Sequence, residues 1–262
     1  MIRVDRPRRW PAAALKAARQ AGLARIRAKL AAGRALKSTC FRGHDVVKDV
    51  LYRAQHHKCC YCEGKVPARR QAVEHYRPKT TVRRTVGASA VPGYWWLAWE
   101  RSNLFFVCTT CNGEKDDYFP LAAGSVPLTA GRHAPGGERA LILRPDGPDD
   151  PRDHIEFRFD ARSRKWMPVA RRGSPEGQST IDFVGLAWHI DVYTDYVRNS
   201  VEPPLAHFKN ALSSADPARI AHHWQRLLDL TAPPQCYSAL ARDAIRASVN
   251  LATLAAHGLT LP

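Results

Sequence analysis

Two pairs of cysteines constrain this 262-residue chain more than any other feature. Cys59 and Cys62 form one Cys-x-x-Cys pair, and Cys108 and Cys111 form a second. Each pair holds two thiolates on a tight turn, and four such thiolates make the closed tetrahedral site in which proteins bind structural zinc. The sequence therefore predicts a structural Zn²⁺ held by all four cysteines, so the fold must bring the two pairs together.

The composition indicates what kind of partner the chain binds and in which cellular compartment it is located. Lys and Arg outnumber Asp and Glu by 40 to 24, and the net charge of +16 favours a polyanion such as nucleic acid. There is no run of about 18 apolar residues, and charged residues interrupt the apolar stretch near the N-terminus, so neither a membrane span nor a signal peptide is predicted. We expect a reducing, cytoplasmic location. The remaining thiols, Cys40, Cys60 and Cys236, are expected to be buried or idle.

Hydrophobic periodicity predicts helices on both sides of the cysteine-rich stretch. The first helix is predicted over residues 10–37, and its basic surface would either follow a phosphate backbone or simply face solvent. Further helices are predicted over 44–57, 187–208, 217–230 and 237–257, with one more beginning at a Ser179-Thr180 cap. Single histidines on the later helices, His189 among them, are not predicted to bind metal.

Short strands are predicted where apolar residues alternate or cluster between turn signals. They cover residues 72–75, 104–107, 140–143, 155–159 and 165–169. Residues 79–92 are predicted to be an exposed loop, and the aromatic segment Tyr94–Trp99 is predicted to fill a small core, with stacking on bases as the alternative. The chain is thus divided into an N-terminal helical region over 1–58, a zinc-bound core over 59–121, and a C-terminal region over 122–262 that is mixed, then helical, and packed on the core.

Between the cysteine pairs the sequence has Glu74-His75-Tyr76-Arg77-Pro78 and then Asn103, and Asn112 follows the last cysteine directly. This order resembles the HNH endonucleases of the ββα-metal type, in which zinc knuckles bracket a hairpin and a helix that hold one catalytic metal. The segments EHYRPK, YWWLAWERSNL and CNGEKDDYFPL are more similar still to the PtuB-like branch, the nucleases of Septu and retron anti-phage systems. The resemblance implies an α+β fold, with a ββα-metal core and a treble-clef-like zinc site between N- and C-terminal helices.

Hydrolysis of a phosphodiester requires a base that deprotonates water and a cation that offsets the charge of the transition state. A neutral imidazole can serve as the base near pH 7, and the resemblance places that base at His75. Glu74 and Asn112 offer oxygen ligands suited to a catalytic Mg²⁺ or Mn²⁺. The resemblance also implies that Asn103 pins the loop carrying His75. The predicted substrate-binding residues are Arg77, Lys79 and Lys115, the last through a phosphate.

Two departures from the commonest HNH pattern bear on the metal. Glu74 stands where the wider superfamily usually has Asp, and Asn112 replaces the final His. A longer carboxylate and a neutral amide make a weaker site, so the sequence leaves the identity of the catalytic metal open between Mg²⁺ and Mn²⁺.

Two classes of function stay open at this point. The joint occurrence of these motifs inside the cysteine pairs favours an active endonuclease, and the alternative is a zinc-ribbon scaffold that binds nucleic acid without cutting it. DNA is favoured as the substrate, while RNA or tRNA stays open. The chain has no phosphate-binding Gly-rich loop of its own, and the resemblance implies a PtuA-like ABC-type ATPase as partner. Either this ATPase or the chain's own core would cover the basic first helix and the helices after Ala187.

Overall fold

A computed structural model describes residues 1, 3–67, 71–130 and 137–261 of the protein. Residues 131–136, in the predicted C-terminal region over 122–262, lie outside the described residues. The α-helices are α1 (Ala12–Ala31), α2 (Lys48–Ala54), α3 (Thr109–Lys115), α4 (Pro151–His154), α5 (Pro175–Phe183), α6 (Ile190–Tyr196), α7 (Glu202–Ser214), α8 (Pro217–Thr231), α9 (Ser238–Ser248) and α10 (Leu251–Ala256). The strands are β1 (Gln71–His75), β2 (Thr81–Val82), β3 (Val91–Pro92), β4 (Leu104–Cys108), β5 (Ile155–Asp160) and β6 (Lys165–Ala170).

The strands form three small antiparallel sheets, in which β1 pairs with β4, β2 with β3, and β5 with β6. Short 3₁₀ turns and one π-helical turn join the larger elements, at Ser38–Cys40, His44–Val47, Trp95–Leu97, Arg101–Asn103, Arg171–Gly173, Leu186–His189 and Val197–Val201. Helices and isolated hairpins in one chain confirm the predicted α+β class. Within the described ranges, no helix combines the length and apolarity that a bilayer span requires.

Several predicted boundaries are wrong for identifiable reasons. Helix α1 ends at Ala31 and not at residue 37, because Gly33 takes a left-handed conformation (φ 61°) in which its N–H bonds to Leu30 O. The predicted helix over 44–57 is a 3₁₀ turn followed by the shorter α2. Helix α5 begins at Pro175 and is capped by Ser174, whose Oγ accepts from Gly177 N, so the predicted cap at Ser179-Thr180 is wrong.

The predicted strand over 140–143 is also wrong. Only Ala140 makes a bridge, to Leu121. The N–H of Leu143 donates instead to Thr180 Oγ1 at 2.8 Å, and the carbonyl of Ile142 accepts from Tyr76 Oη at 2.7 Å. These backbone groups form hydrogen bonds with side chains from distant elements, so they do not pair with a neighbouring strand. The strand predictions that became β1, β4, β5 and β6 are confirmed, as is the helix that became α8.

Buried apolar side chains form two cores. The first contains α1, α2, β1, β4 and the cysteine pairs, together with residues as far as Leu186, so it draws on all three predicted regions. The second lies between the β5–β6 hairpin and helices α6 to α10. Helix α1 joins the first core at Gly22, where an added Cβ would lie 2.1 Å from Trp99 Cη2. This close approach of helix to indole requires glycine.

Candidate metal centre and catalytic cleft

The four predicted cysteines come together in one cluster. Their Sγ atoms all lie within 4.8 Å of one another, and Cys62 Sγ is 3.9 Å from Cys108 Sγ. Four sulfurs at about 2.3 Å from a tetrahedral zinc ion would lie about 3.8 Å apart, so the cluster is consistent with a closed zinc site. The backbone of each pair supports this arrangement, because Tyr61 N donates to Cys59 Sγ and Cys111 N donates to Cys108 Sγ.

The second cysteine pair links the cluster to a hairpin followed by a helix. Strand β4 ends at Cys108, and α3 begins at the next residue. Strand β1 lies antiparallel to β4, with Glu74 opposite Phe105 and His75 opposite Leu104. Because α3 packs against β1, the end of β1 and the first turns of α3 face a common cleft.

The cleft has a volume of about 240 Å³ and is predominantly polar. Four of the predicted site residues lie in its wall, and these are Glu74, His75, Lys79 and Asn112. The sequence analysis missed the others, which are Ser38, Val73, Pro78, Thr80, Thr81, Asp116 and Asp117. The two aspartates directly follow Lys115 in the segment CNGEKDDYFPL, and that adjacency is the one signal that could have identified them.

His75 is held in one orientation. Its Nε2 lies 3.0 Å from the carbonyl oxygen of Ala98, and because a carbonyl can only accept, this nitrogen carries the proton. Nδ1 is then the acceptor, and it lies 3.2 Å from Lys79 Nζ. Burial lowers the pKa of His75 well below its usual value, and the charge of Lys79 lowers it further. The imidazole is therefore neutral at neutral pH, with its lone pair on Nδ1.

A second histidine supports the first. The ring of His44 meets His75 edge to face, with ring centroids 4.7 Å apart, and His44 Nδ1 lies 2.7 Å from Phe41 O. The sequence analysis did not single out His44, because its helical position gave no sign of a contact with β1.

Glu74 is paired with a buried cation. Its Oε1 lies 2.6 Å from Lys115 Nζ, and the two side chains are 4% and 0% exposed. Lys115 Nζ also donates to the backbone carbonyl of His75 at 3.2 Å. The ammonium of Lys115 thus neutralises the carboxylate that the sequence analysis assigned to a metal. The Lys115 ammonium faces Glu74, and Lys115 does not line the cleft. The contact between Lys115 and a phosphate therefore stays a prediction.

No family model matches the chain, and no solved structure matches it. Septu protein PtuB of Bacillus mycoides (strain KBAB4) is 36% identical over 146 residues, which are 53% of this chain and 46% of that protein. Over these residues the chain is homologous to Septu protein PtuB. Septu protein PtuA of the same strain is 27% identical over 130 residues, which are 49% of this chain and 17% of that protein. The chain thus matches somewhat less than half of the PtuB relative and a smaller share of PtuA.

Asn103 fastens the backbone beyond His75. Its Oδ1 accepts from Arg77 N at 2.7 Å, while its Nδ2 donates to Arg77 O at 3.0 Å and to Leu97 O at 3.2 Å. One side chain therefore ties the loop that follows His75 to the aromatic segment whose Ala98 carbonyl fixes the imidazole. The orientation of His75 depends on this connection, because Asn103 bonds both to the loop after His75 and to the segment that carries the Ala98 carbonyl.

Arg77 and His189 have surroundings that the sequence does not predict. Arg77 does not line the cleft, since its Nε forms an ion pair with Glu138 Oε1 at 2.6 Å beside a separate cavity. His189 lies at the cysteine cluster, with Nε2 3.4 Å from Cys111 Sγ. The imidazole is placed to donate to a sulfur rather than to replace one. No spacing pattern joins residues so far apart in the sequence.

Proposed function

We propose that this PtuB homologue is a metal-dependent HNH endonuclease that hydrolyses phosphodiester bonds of nucleic acid. The observation that carries the proposal is the orientation of His75. Its Nε2–H donates to Ala98 O, and its Nδ1 is the accepting nitrogen on the wall of a polar cleft that Asn112 and Glu74 also line. A neutral, oriented imidazole of this kind is suited to take a proton from water.

Each residue of the cleft has its own role in the proposed hydrolysis. His75 Nδ1 takes the proton from the attacking water. Lys79, whose ammonium donates to Nδ1 at 3.2 Å, turns toward the phosphate when substrate enters and leaves the lone pair free. Glu74 and Asn112 would hold Mg²⁺ or Mn²⁺, which when bound offsets charge on the phosphate oxygens. Asn103 keeps the loop after His75 in place, and Arg77 supports that loop from its ion pair with Glu138.

We further propose that the ion in the cysteine cluster is Zn²⁺ and that its role is structural. The chemistry of the two donor sets differs. Four thiolates supply every ligand of a tetrahedral zinc ion and make a closed site, whereas the cleft presents oxygen donors around an open volume.

A second candidate function rests on a specific contact. The ion pair between Glu74 and Lys115 satisfies the carboxylate without any metal, as a zinc-ribbon scaffold that binds nucleic acid without cutting it would allow. A plasmid-nicking assay with Mg²⁺ or Mn²⁺ separates the two. The nuclease proposal expects nicking by the wild type and much slower nicking by His75→Ala with equal zinc content. If neither metal supports nicking by folded, zinc-loaded protein, the scaffold is the better account.

We also propose an anti-phage role with a PtuA-like ABC-type ATPase as partner, in the cytoplasm, and with DNA as the favoured substrate. The similarity to Septu PtuB supports this proposal, and the chain is also similar to part of Septu PtuA. The division into regions 1–58, 59–121 and 122–262 stays a proposal as well. Co-expression with such an ATPase followed by size-exclusion chromatography tests the partnership, and separate elution at micromolar concentration would argue against it.

A further inference from the structure

A second groove lies beside the cleft. It has a volume of about 260 Å³ and lies between α1 and the turn at Ser38–Cys40. Its lining residues are Arg25, Lys29, Thr39, Cys40 and Arg42. Three of these five side chains are cationic and none is acidic, so the groove presents an unbalanced positive charge.

The three cations differ from several arginines that pack around the first core. Arg6, Arg77 and Arg83 each pair with a carboxylate. Within the part of the chain that the structure describes, none of the three groove cations has such an ion pair, and Arg25 donates only to the backbone carbonyl of Cys40, at 3.5 Å. Cations without a carboxylate partner are free to bind an external anion, and binding phosphates releases the counterions that surround a nucleic acid.

The framework of the groove is rigid. Helix α1 is fixed by the close approach of Gly22 to Trp99, and Trp99 Nε1 donates to Arg42 O at 3.1 Å. The same indole therefore positions both walls, the helix on one side and the chain after the turn on the other. The basic side chains project from fixed backbone positions, which lowers the entropy lost when they bind.

The groove continues from the catalytic cleft. Ser38 lines the cleft, and the next two residues, Thr39 and Cys40, line the groove. The carbonyl of Phe41 meets His44, whose ring packs on His75. A polyanion that occupies the cleft can therefore extend along this turn toward Arg25 and Lys29 without leaving the surface.

We propose that this groove binds backbone phosphates of the nucleic acid on one side of the phosphate that is cut. The inference rests on the proposed nuclease function for the identity of the ligand, and its binding step is separable from cleavage. Phosphate contacts fix the position of a strand and carry no sequence information, so the groove sets register and affinity without selecting a base.

The test compares two triple variants of equal charge. The first is Arg25→Gln, Lys29→Gln and Arg42→Gln. The matched control is Arg162→Gln, Lys209→Gln and Arg219→Gln, whose side chains are exposed and lie outside both the cleft and the groove. Binding is measured without divalent metal over a range of salt concentrations, on a DNA duplex of about 20 base pairs and on an RNA duplex of the same sequence, because the salt dependence counts phosphate contacts.

The groove triple is expected to bind at least about tenfold more weakly at low salt, with the slope of log K against log salt reduced by about two to three on DNA. The control should retain most of the affinity and nearly the wild-type slope. A loss on both duplexes, or on one alone, supports phosphate binding and shows which backbone is recognised. Equal effects of the two triples, or an unchanged slope in the groove triple, would overturn the proposal.

Cleavage of a small phosphodiester, bis(p-nitrophenyl) phosphate, separates this proposal from the nuclease proposal. The groove triple should cleave the small ester at the wild-type rate, because the ester does not reach α1, while its cleavage of long nucleic acid falls. If the wild type cleaves neither substrate, the nuclease proposal fails, and the binding measurements still decide on the groove.

Discussion

The cysteine cluster and the candidate catalytic cleft both adjoin β1 and α3, yet they are built on opposite principles. The cluster is closed, since four sulfurs lie within 4.8 Å of one another and would supply all four ligands of a tetrahedral zinc ion. The cleft is open and polar, and its donors already have partners, Lys115 for Glu74 and Lys79 for His75. From this difference we propose that one site holds the fold together and that the other exchanges its contacts when substrate enters.

The largest effect is expected at the closed site. Changing Cys108 to Ser removes a thiolate, so zinc binding should fail and the free energy of unfolding should decrease by several kcal/mol, because metal binding and folding are coupled on the order of 10 kcal/mol in structural zinc sites. Zinc content and thermal unfolding measure this.

Cys236→Ser provides the matched control, since Cys236 lies outside the cluster. It should bind one zinc and unfold at nearly the wild-type temperature. If Cys108→Ser also keeps its zinc and its stability, the cluster does not hold a structural metal.

The open site should lose activity with little loss of stability. His75→Ala is expected to reduce nucleic-acid cleavage by about 10²- to 10⁴-fold, the usual contribution of a general base, with zinc content unchanged. The rate of plasmid nicking under single-turnover conditions measures the effect. A variant that nicks at the wild-type rate would remove His75 from the mechanism, and loss of the bound zinc would show that the two sites are not independent.

Asn103 tests the connection on which the cleft depends. Asn103→Ala removes three hydrogen bonds and leaves backbone groups of Arg77 and Leu97 without this partner. We expect a loss of about 2 kcal/mol in the free energy of unfolding, which for a chain of this size is a melting temperature lower by about 4–8 °C.

Cleavage should fall further than stability in this variant, because His75 loses its fixed position. Asn210→Ala, at an exposed position on α7, is the control and should change neither quantity. Wild-type cleavage by a destabilised Asn103→Ala protein would limit Asn103 to a purely structural role.

The smallest expected effect lies away from both sites, at Asp146. Burial raises its pKa, but hydrogen bonds and charges from Arg144 and Arg6 outweigh this and leave the pKa below its ordinary value. A lowered pKa in the folded state stabilises the protein above the unfolded pKa of about 4, and this contribution is lost as the pH falls through the folded value.

Asp146→Asn should therefore destabilise the protein by roughly 1 kcal/mol near neutral pH and by less near pH 3, as measured by urea unfolding at the two pH values. A difference between variant and wild type that does not shrink on acidification would show that Asp146 acts through its shape and not its charge.

The parts of the fold that depend on local pattern could be predicted from the sequence. The spacing of Cys59, Cys62, Cys108 and Cys111 predicted the cluster, and the short apolar runs predicted β1 and β4. The strand expected at 140–143 failed because its backbone groups bond to Thr180 and Tyr76, side chains that no local pattern connects to it.

The same limit applies to the candidate site. The motif brought Glu74, His75 and Asn112 to one cleft, but the partners of these residues come from elsewhere in the chain. His44 reaches His75 from a 3₁₀ turn, and the ion pair of Lys115 with Glu74 depends on how closely α3 packs against β1. Such contacts depend on tertiary packing, and single-sequence periodicity contains no information about it.

We propose that a closed structural site and an open catalytic site coexist in this protein. The most direct test is plasmid nicking after EDTA treatment under conditions that leave the zinc in place. Zinc content and melting temperature are measured on the same sample. We expect full zinc, an unchanged melting temperature, no plasmid nicking, and recovery of nicking when Mg²⁺ or Mn²⁺ is added. Undiminished nicking by the EDTA-treated, zinc-loaded protein would contradict this proposal.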